Sequence, residues 1–257
     1  MLSRPAQSKP PLYIKILGIN YFIGSLEKLF YETLRGGLIV VPSAPVLANL
    51  PHNSAHRTAL EGSDLAITDS GLLVLLWLLF QHKKLIRISG LRYLRHLLEQ
   101  QAFRRAEATY WVMPTSDDAV ANRQWLALRG IIVTSDYCYV APIYTKQGEI
   151  TDPALLTDLD QKQPRFVILN LGGGVQERLG YYLRTHLSYR PAIICTGAAI
   201  AFLSARQTTI PIWADRLMLG WFFRVASNPK LYLPRYWQSL SLVKLLWKHG
   251  SNRVAHD

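Results

Sequence analysis

The residues best placed to do chemistry are Asp69 and Arg87. Asp69 follows the apolar segment 65–68 and precedes Ser70-Gly71 and the long apolar run 72–80. This pattern predicts a strand, a turn and a helix, so that Asp69 lies at the carboxyl end of a strand, where ligands bind in open α/β sheets. A carboxylate there could take a proton from an attacking hydroxyl, or it could only cap the helix.

Arg87 lies in the basic and apolar run 84–89, where it follows a strand-like start and precedes Ser89-Gly90. A guanidinium at this place could neutralise a diphosphate through two parallel hydrogen bonds. A solvated surface arginine is the alternative interpretation, and the local sequence does not decide between them.

A run of glycines, 172–174, follows the most strand-like segment of the chain and precedes a helical segment that opens with Gln176 and Glu177. Backbone N–H groups in such a turn could approach a phosphate or a sugar, or the glycines could only permit a tight turn. The amide and carboxylate could read a ribose or a nucleobase edge, or Glu177 could only favour the helix N-terminus. The run is neither a G-x-x-x-x-G-K-[ST] nor a G-x-G-x-x-G motif.

The histidines do not suggest a metal site. His52 and His56 are four residues apart, but no acidic residue stands at metal-ligand spacing from them, and no G-x-S-x-G or Cys/His nucleophile pattern is present. We therefore expect no metal and no covalent nucleophile.

Strand-like and helical segments alternate along the chain, which is typical of an α/β protein with a Rossmann-like, mostly parallel sheet and flanking helices. The predicted strands are 13–21, 38–41, 65–68, 109–113, 131–134, 165–171 and 192–196. The predicted helices are 26–35, part of 49–60, 72–80, 91–104, 117–128, 155–161, 175–187 and 201–205.

The composition is that of a globular chain with an anionic partner. The 257 residues are 49% hydrophobic and 18% charged, with a formal net charge of +12. The longest apolar run, 72–80, is too short to span a bilayer, and residues 1–9 lack the apolar core of a signal peptide. We expect a cytoplasmic protein without a membrane-spanning segment.

The composition changes after Pro211, where tryptophans and tyrosines mix with arginines and lysines. We predict an α/β domain over 1–210 and a helical, basic and aromatic appendage over 211–257. Such a mixture suits an anionic membrane surface or single-stranded nucleic acid. The chain has no recognisable nucleic-acid module, which favours the membrane surface and leaves no nucleic-acid partner expected.

Together these segments resemble the WecG/TagA/CpsF family of bacterial glycosyltransferases, in the same order over about 15–236. The segments 16–20 and 63–71 (SDLAITDSG) resemble the family patterns V-x-G-V-x and A-D-L-V-x-P-D-G-x-G. The segments 87–90, 172–177 (GGGVQE) and 197–204 are similar to R-V-x-G-x-D-L, G-x-P-x-Q-E and G-V-G-A-x-F-D-F-L-A-G. The tail, from 219 to 236, resembles G-L-E-W-x-x-R followed by x-P-x-R-x-x-R-Y.

The resemblance implies a GT-E-like fold that moves a sugar from a UDP-sugar to a polyprenyl-diphosphate-linked acceptor, with inversion and without a dedicated metal or cofactor. The place implied is the inner face of the cell membrane, in cell-surface polysaccharide biosynthesis; a homo-oligomer is left open. By resemblance Asp69 is the catalytic base and Arg87 stabilises the diphosphate. The implied substrate-binding residues are Ser43, Gly172, Gly173, Gly174, Gln176, Glu177, Gly197, Arg224 and Arg235.

Several positions depart from the family pattern. Val41-Pro42-Ser43 stands where the family has T-P-N, and Ser70 replaces a glycine. Ala201 and Gly220 replace an aspartate and a glutamate. These changes predict a different donor or acceptor, or a non-catalytic protein that binds a nucleotide-sugar or a glycan lipid with the same fold.

Overall fold

The computed structural model describes residues 12–204 and 220–254 of the chain. Eight strands form one sheet in the order β1-β2-β4-β3-β8-β7-β5-β6. The strands are β1 (Tyr13–Ile16), β2 (Ile19–Phe22), β3 (Gly37–Val40), β4 (Leu65–Ala66), β5 (Thr109–Met113), β6 (Cys138–Val140), β7 (Phe166–Leu169) and β8 (Ala192–Cys195). Only the β1–β2 pair is antiparallel among these strands, so the predicted mostly parallel α/β sheet is confirmed.

Helices join the parallel strands and cover both faces of the sheet. They are α1 (Leu26–Thr33), α2 (Ala44–Ala48), α3 (Ser54–Glu61), α4 (Gly71–Gln81), α5 (Gly90–Glu99), α6 (Gln101–Arg104), α7 (Ser116–Ala127), α8 (Pro153–Lys162), α9 (Val175–His186), α10 (Ala199–Leu203), α11 (Gly220–Ser227), α12 (Pro229–Gln238) and α13 (Ser241–His249).

The single strand predicted over 13–21 is wrong. Leu17 and Gly18 have positive φ angles of 53° and 81°, and they turn the chain into the β1–β2 hairpin. The Leu17 N–H donates to the Gly250 carbonyl at 2.9 Å, so the C-terminal segment holds this turn in place. The hairpin is therefore fixed by a contact between distant parts of the sequence.

Two other predicted strand-like runs are not strands. The Ile131 N–H donates to the Leu126 carbonyl, and the Val133 carbonyl accepts from Arg123, so the apolar 131–134 run packs against α7. The 84–89 run is also irregular, and the Ile86 carbonyl accepts from the Thr68 hydroxyl at 2.6 Å. Both runs bury apolar side chains without joining the sheet.

The described part of the C-terminal segment packs on the core of the sheet. Leu242 and Leu246 on α13 and the later Val254 are buried within the cluster that includes Ile16 and Trp77. The predicted domain boundary near 210 lies outside the described residues, and the division into 1–210 and 211–257 stays a prediction.

Candidate active site

The carboxyl ends of the parallel strands meet at one edge of the sheet. Val41 follows β3, Asp69 follows β4 after a short connection, Asn170 follows β7 and Thr196 follows β8. The strands β4, β3, β8 and β7 are consecutive and parallel in the sheet, so the four residues that follow them lie at one edge. This edge is where ligands bind in open α/β sheets.

Asp69 and Arg87 lie together at this edge. The Arg87 Nε–H donates to the Asp69 backbone carbonyl at 2.6 Å, and an Arg87 Nη atom lies 3.9 Å from the Asp69 carboxylate. Both side chains are partly buried, with 17% of Arg87 and 24% of Asp69 exposed. A carboxylate and a guanidinium thus stand in one partly exposed place, close enough to contact the same substrate.

The alternative interpretation of Asp69 as the cap of α4 is wrong. Ser70 is the N-cap of α4, and its hydroxyl accepts from the Leu73 N–H at 3.1 Å. The Asp69 carboxylate instead accepts from the Gly90 N–H at 3.0 Å, at the start of α5. The helix N-terminus stabilises the negative charge and orients the carboxylate.

Gln176 and Glu177 are both buried at the start of α9. The Glu177 carboxylate accepts from the Gly174 N–H at 2.6 Å, and the Gln176 side-chain carbonyl accepts from the Gly197 N–H at 2.8 Å. These bonds hold the glycine turn and join the ends of β7 and β8. Glu177 therefore favours the helix N-terminus, and nucleotide contact by either side chain stays a prediction.

The glycine turn itself borders open space. Gly174 has a φ of 88°, which favours glycine, and a Cβ atom added at Gly172 or Gly174 would meet nothing within 4 Å among the described residues. At Gly173 an added Cβ would lie 2.5 Å from Val46 of α2. The turn can thus receive a ligand on one side while it packs closely on α2 on the other.

His56 and Arg178 surround Glu177 and were not predicted as site residues. His56 Nε2 lies 3.9 Å from the Glu177 carboxylate, and both side chains are buried. Burial, with the nearby Arg178 charge, lowers the pKa of His56 to about 4, and burial raises the pKa of Glu177. The imidazole is therefore neutral at pH 7, so this contact is not a salt bridge.

We expect the buried His56 to make the protein less stable in mild acid. The pKa is 6.5 for an unperturbed histidine and about 4 in the folded state, so the unfolded chain binds the proton first as the pH falls. The contribution of His56 to the free energy of unfolding is fully present above pH 6.5 and decreases toward pH 4. At pH 5 about 2 kcal/mol of it is lost. Denaturant unfolding at pH 7 and pH 5 should show this loss in wild type but not in His56→Gln. Equal losses in both proteins would contradict it.

Asn170 and Thr196 form a second pair that the sequence did not reveal. They follow Leu169 and Cys195, the last registered pair of β7 and β8, so they occupy neighbouring positions on adjacent strands. Both are buried, and neither Asn170 Oδ1 nor Thr196 Oγ1 has a hydrogen-bond partner among the described residues. Buried polar atoms without partners are costly, which makes this pair a candidate ligand-binding position.

The remaining predicted residues are placed as follows. Ser43 is half-buried at the start of α2 and makes no side-chain capping bond to that helix. Val41, before it, is buried and faces Gly90, where an added Cβ would lie 3.0 Å from the valine. Arg224 and Arg235 lie in α11 and α12, but their side chains are outside what the structure describes.

Over 12–204 and 220–254, no group of three or more His, Cys, Asp or Glu side chains is arranged to hold a metal ion. None of the helices in these two ranges is long and apolar enough to cross a bilayer.

The sequence matches the model of the Glycosyl transferase WecG/TagA/CpsF family over residues 14–255. The chain belongs to this family. It is therefore a glycosyltransferase, and the matched range contains Asp69, Arg87, the glycine turn and the described tail helices.

This WecG/TagA/CpsF glycosyltransferase is similar in sequence to a transferase with a named reaction. The N-acetylglucosaminyldiphosphoundecaprenol N-acetyl-beta-D-mannosaminyltransferase of Bacillus subtilis (strain 168) is 22% identical over 226 residues. The match covers 85% of this chain and 84% of the relative. The two proteins are therefore similar over nearly their whole lengths.

Proposed function

We propose that this glycosyltransferase moves an N-acetylhexosamine or hexose from a UDP-sugar to a sugar on a polyprenyl diphosphate, with inversion at the anomeric carbon. The observation that carries the proposal is the adjacent Asp69 carboxylate and Arg87 guanidinium at the ligand-binding edge of the sheet. The name of the Bacillus subtilis relative supports a lipid-diphosphate-linked acceptor, since it acts on N-acetylglucosaminyldiphosphoundecaprenol.

In the proposed reaction an acceptor hydroxyl attacks the anomeric carbon of the donor. Its proton passes to the Asp69 carboxylate, the new glycosidic C–O bond forms, and the bond from the anomeric carbon to the UDP oxygen breaks. The leaving diphosphate gains negative charge, which the Arg87 guanidinium and the backbone N–H groups of the glycine turn stabilise. One displacement of this kind inverts the anomeric centre, and fixed cations take the place of a metal.

The direct test is a turnover assay with the purified full-length chain. UDP-N-acetylmannosamine, UDP-N-acetylglucosamine, UDP-glucose and UDP-galactose would each be offered with a polyprenyl-diphosphate-linked N-acetylglucosamine, and the glycolipid product measured. We expect one donor to be used, in EDTA as well as without it, and an inverted anomeric centre by NMR. UDP-sugar binding without turnover of any donor would instead favour the non-catalytic binding protein, which the apolar Val41 also favours.

Asn170 and Thr196 are proposed to contact the neutral, hydrogen-bonding part of the donor. Asn170 Oδ1 only accepts hydrogen bonds, so it suits a sugar hydroxyl, an acetamide N–H or the uracil imide and does not suit a phosphate oxygen. The neighbouring glycine turn suits the diphosphate, because its N–H groups only donate.

We expect Thr196→Val to weaken donor binding by about 3- to 10-fold, the effect of one hydrogen bond, without loss of stability. The variant keeps the shape of the side chain and removes a buried hydroxyl that has no partner among the described residues. Calorimetry with the UDP-sugar and a thermal melt would measure both effects. As a control, Thr109→Val removes a buried hydroxyl that accepts from Trp111 at 3.0 Å, and should lower stability alone. Unchanged donor affinity in Thr196→Val would remove Thr196 from the site.

We also propose a peripheral location on the inner face of the cell membrane. Residues 70–98 and 216–256 hold five and seven Lys or Arg residues respectively, and neither stretch contains an acidic residue. Together these twelve positive charges equal the formal net charge of +12, so positive and negative charges cancel over the rest of the chain. Two stretches that carry Lys and Arg without any acidic residue support attraction to anionic lipid headgroups.

A further inference from the structure

We propose that the exposed side of α4, continued by Ile86 and Trp247, is the surface that docks on an anionic lipid bilayer. We call it the α4 surface: Leu75, Leu78, Leu79, Ile86 and Trp247, with Lys83 and Lys84 beside them. The inference extends the proposed function by assigning its membrane contact to named residues, all of which except Trp247 lie outside the predicted C-terminal appendage 211–257.

The apolar residues of this surface face solvent. Leu75 and Leu79 are 52% and 56% exposed, and Leu78 lies one helical turn from Leu75 on the same stripe of α4. Trp247 on α13 is 77% exposed, and its ring lies 5.5 Å from that of Phe80 in an edge-on arrangement. An exposed group of large apolar side chains of this kind marks an interaction surface.

The charges around the α4 surface are all positive along its own stretch of chain. Lys83 and Lys84 are exposed directly after α4, and no acidic residue occurs from 70 to 98. On α13, the exposed Lys244 and Lys248 flank Trp247. Exposed leucines and a tryptophan beside lysines are what an anionic bilayer surface attracts, since the apolar groups enter the interface and the lysines meet headgroup phosphates.

The position of this surface fits a lipid-linked substrate. Asp69 lies two residues before α4 begins, and Arg87 follows Ile86 directly, so the two proposed catalytic residues bracket the 75–86 part of the surface in sequence. The Arg87 Nε–H bond to the Asp69 carbonyl brings both ends of the stretch together. A bilayer on the α4 surface would therefore hold a lipid diphosphate close to the reaction centre.

An anionic bilayer fits the α4 surface better than a second copy of the chain or a nucleic acid does. In a symmetric dimer formed through this surface, two stretches that carry lysines and arginines and no acidic residue would face each other, and like charges repel. Nucleic acid would use the lysines but would leave the leucines Leu75, Leu78 and Leu79 without a matching apolar surface. Only the lipid uses both kinds of side chain.

Vesicle flotation without donor or acceptor tests the inference separately from catalysis. Full-length protein would be mixed with phosphatidylcholine vesicles containing 0 or about 30% phosphatidylglycerol. Leu75→Gln/Leu79→Gln should reduce binding to anionic vesicles by about 10-fold or more, because two apolar side chains no longer enter the interface. Lys83→Gln/Lys84→Gln should reduce it by about 25-fold, roughly fivefold for each charge, and should lower the salt dependence.

Matched controls use exposed residues elsewhere. Leu128→Gln changes an exposed leucine at the end of α7, and Lys28→Gln/Lys146→Gln removes two exposed positive charges from α1 and a distant loop. These controls should bind vesicles like wild type. Because all the altered side chains are exposed, circular dichroism and melting temperature should be unchanged.

Three outcomes would overturn the inference: wild-type protein that ignores anionic vesicles, α4 variants that bind as well as wild type, or controls that lose as much binding. Concentration-dependent dimerisation that the leucine variants abolish, without vesicle binding, would assign the surface to a second copy. Binding of random single-stranded DNA that depends on Lys83 and Lys84, again without vesicle binding, would assign it to nucleic acid. Failure of the proposed transfer reaction would appear separately, as absent turnover with intact vesicle binding.

Discussion

Asp69→Asn should lower turnover by about 10²- to 10⁴-fold, the range expected when a general base is lost. The carboxamide keeps the size of the side chain, and its oxygen can still accept from the Gly90 N–H, which Asp69 Oδ1 does at 3.0 Å. It cannot take the proton of the acceptor hydroxyl. Steady-state assays with saturating UDP-sugar and glycolipid acceptor should show the loss in kcat while donor affinity stays near that of wild type.

The neighbouring serine supplies the control. Ser70 caps α4 through its hydroxyl, so Ser70→Ala should cost about 1 kcal/mol of stability and leave kcat nearly unchanged. The opposite pattern, with a normal kcat in Asp69→Asn and a large loss in Ser70→Ala, would make the helix start more important than the carboxylate. It would remove Asp69 from the proposed mechanism.

Arg87→Lys should reduce kcat by about 10²-fold although the positive charge is kept. The Arg87 Nε–H is already bonded to the Asp69 carbonyl, which leaves the Nη groups oriented by a fixed, planar guanidinium. A lysine ammonium is a flexible point charge and cannot keep that bond while presenting two parallel donors to a diphosphate. The loss should therefore appear in the chemical step and persist at saturating donor.

Arg92→Lys provides the matched control, because Arg92 is an exposed arginine on α5. Its kcat should equal that of wild type. Single-turnover kinetics would separate the chemical step from product release in all three proteins. A full rate in Arg87→Lys would show that no diphosphate is gripped by the guanidinium.

The fold was largely predictable because most strands are buried on both faces and read as short apolar runs between turn residues. The segment 165–171 contains β7, and 192–196 contains β8, almost to the residue. The hairpin at Leu17-Gly18 could not be predicted, since its turn is held by Gly250 and Ser251 from the far end of the chain. The apolar 131–134 run was misread because burial against a helix gives the same local pattern as burial in a sheet.

The candidate site was predictable where chemistry and chain position coincide. Asp69 stands at a strand end in a recognisable motif, and the structure places it beside Arg87. Asn170 and Thr196 carry no such signal, because their significance depends on the β7–β8 register and on oxygens without partners among the described residues. The sequence shows no metal-ligand spacing around His56, and only tertiary packing shows that His56 is buried against Glu177.

The pairing of β3 with β8 also affects how the chain can fold during synthesis. β8 is made after all the other strands, yet it occupies the middle of the sheet between β3 and β7. The turn of the N-terminal hairpin likewise forms its hydrogen bonds with Gly250 and Ser251, which are synthesised later still. Such non-local contacts slow folding, so a growing chain should expose the leucine-rich α4 segment until β8, Gly250 and Ser251 have been translated. We therefore expect the nascent chain to depend on chaperones more than a sheet built from sequential neighbours would.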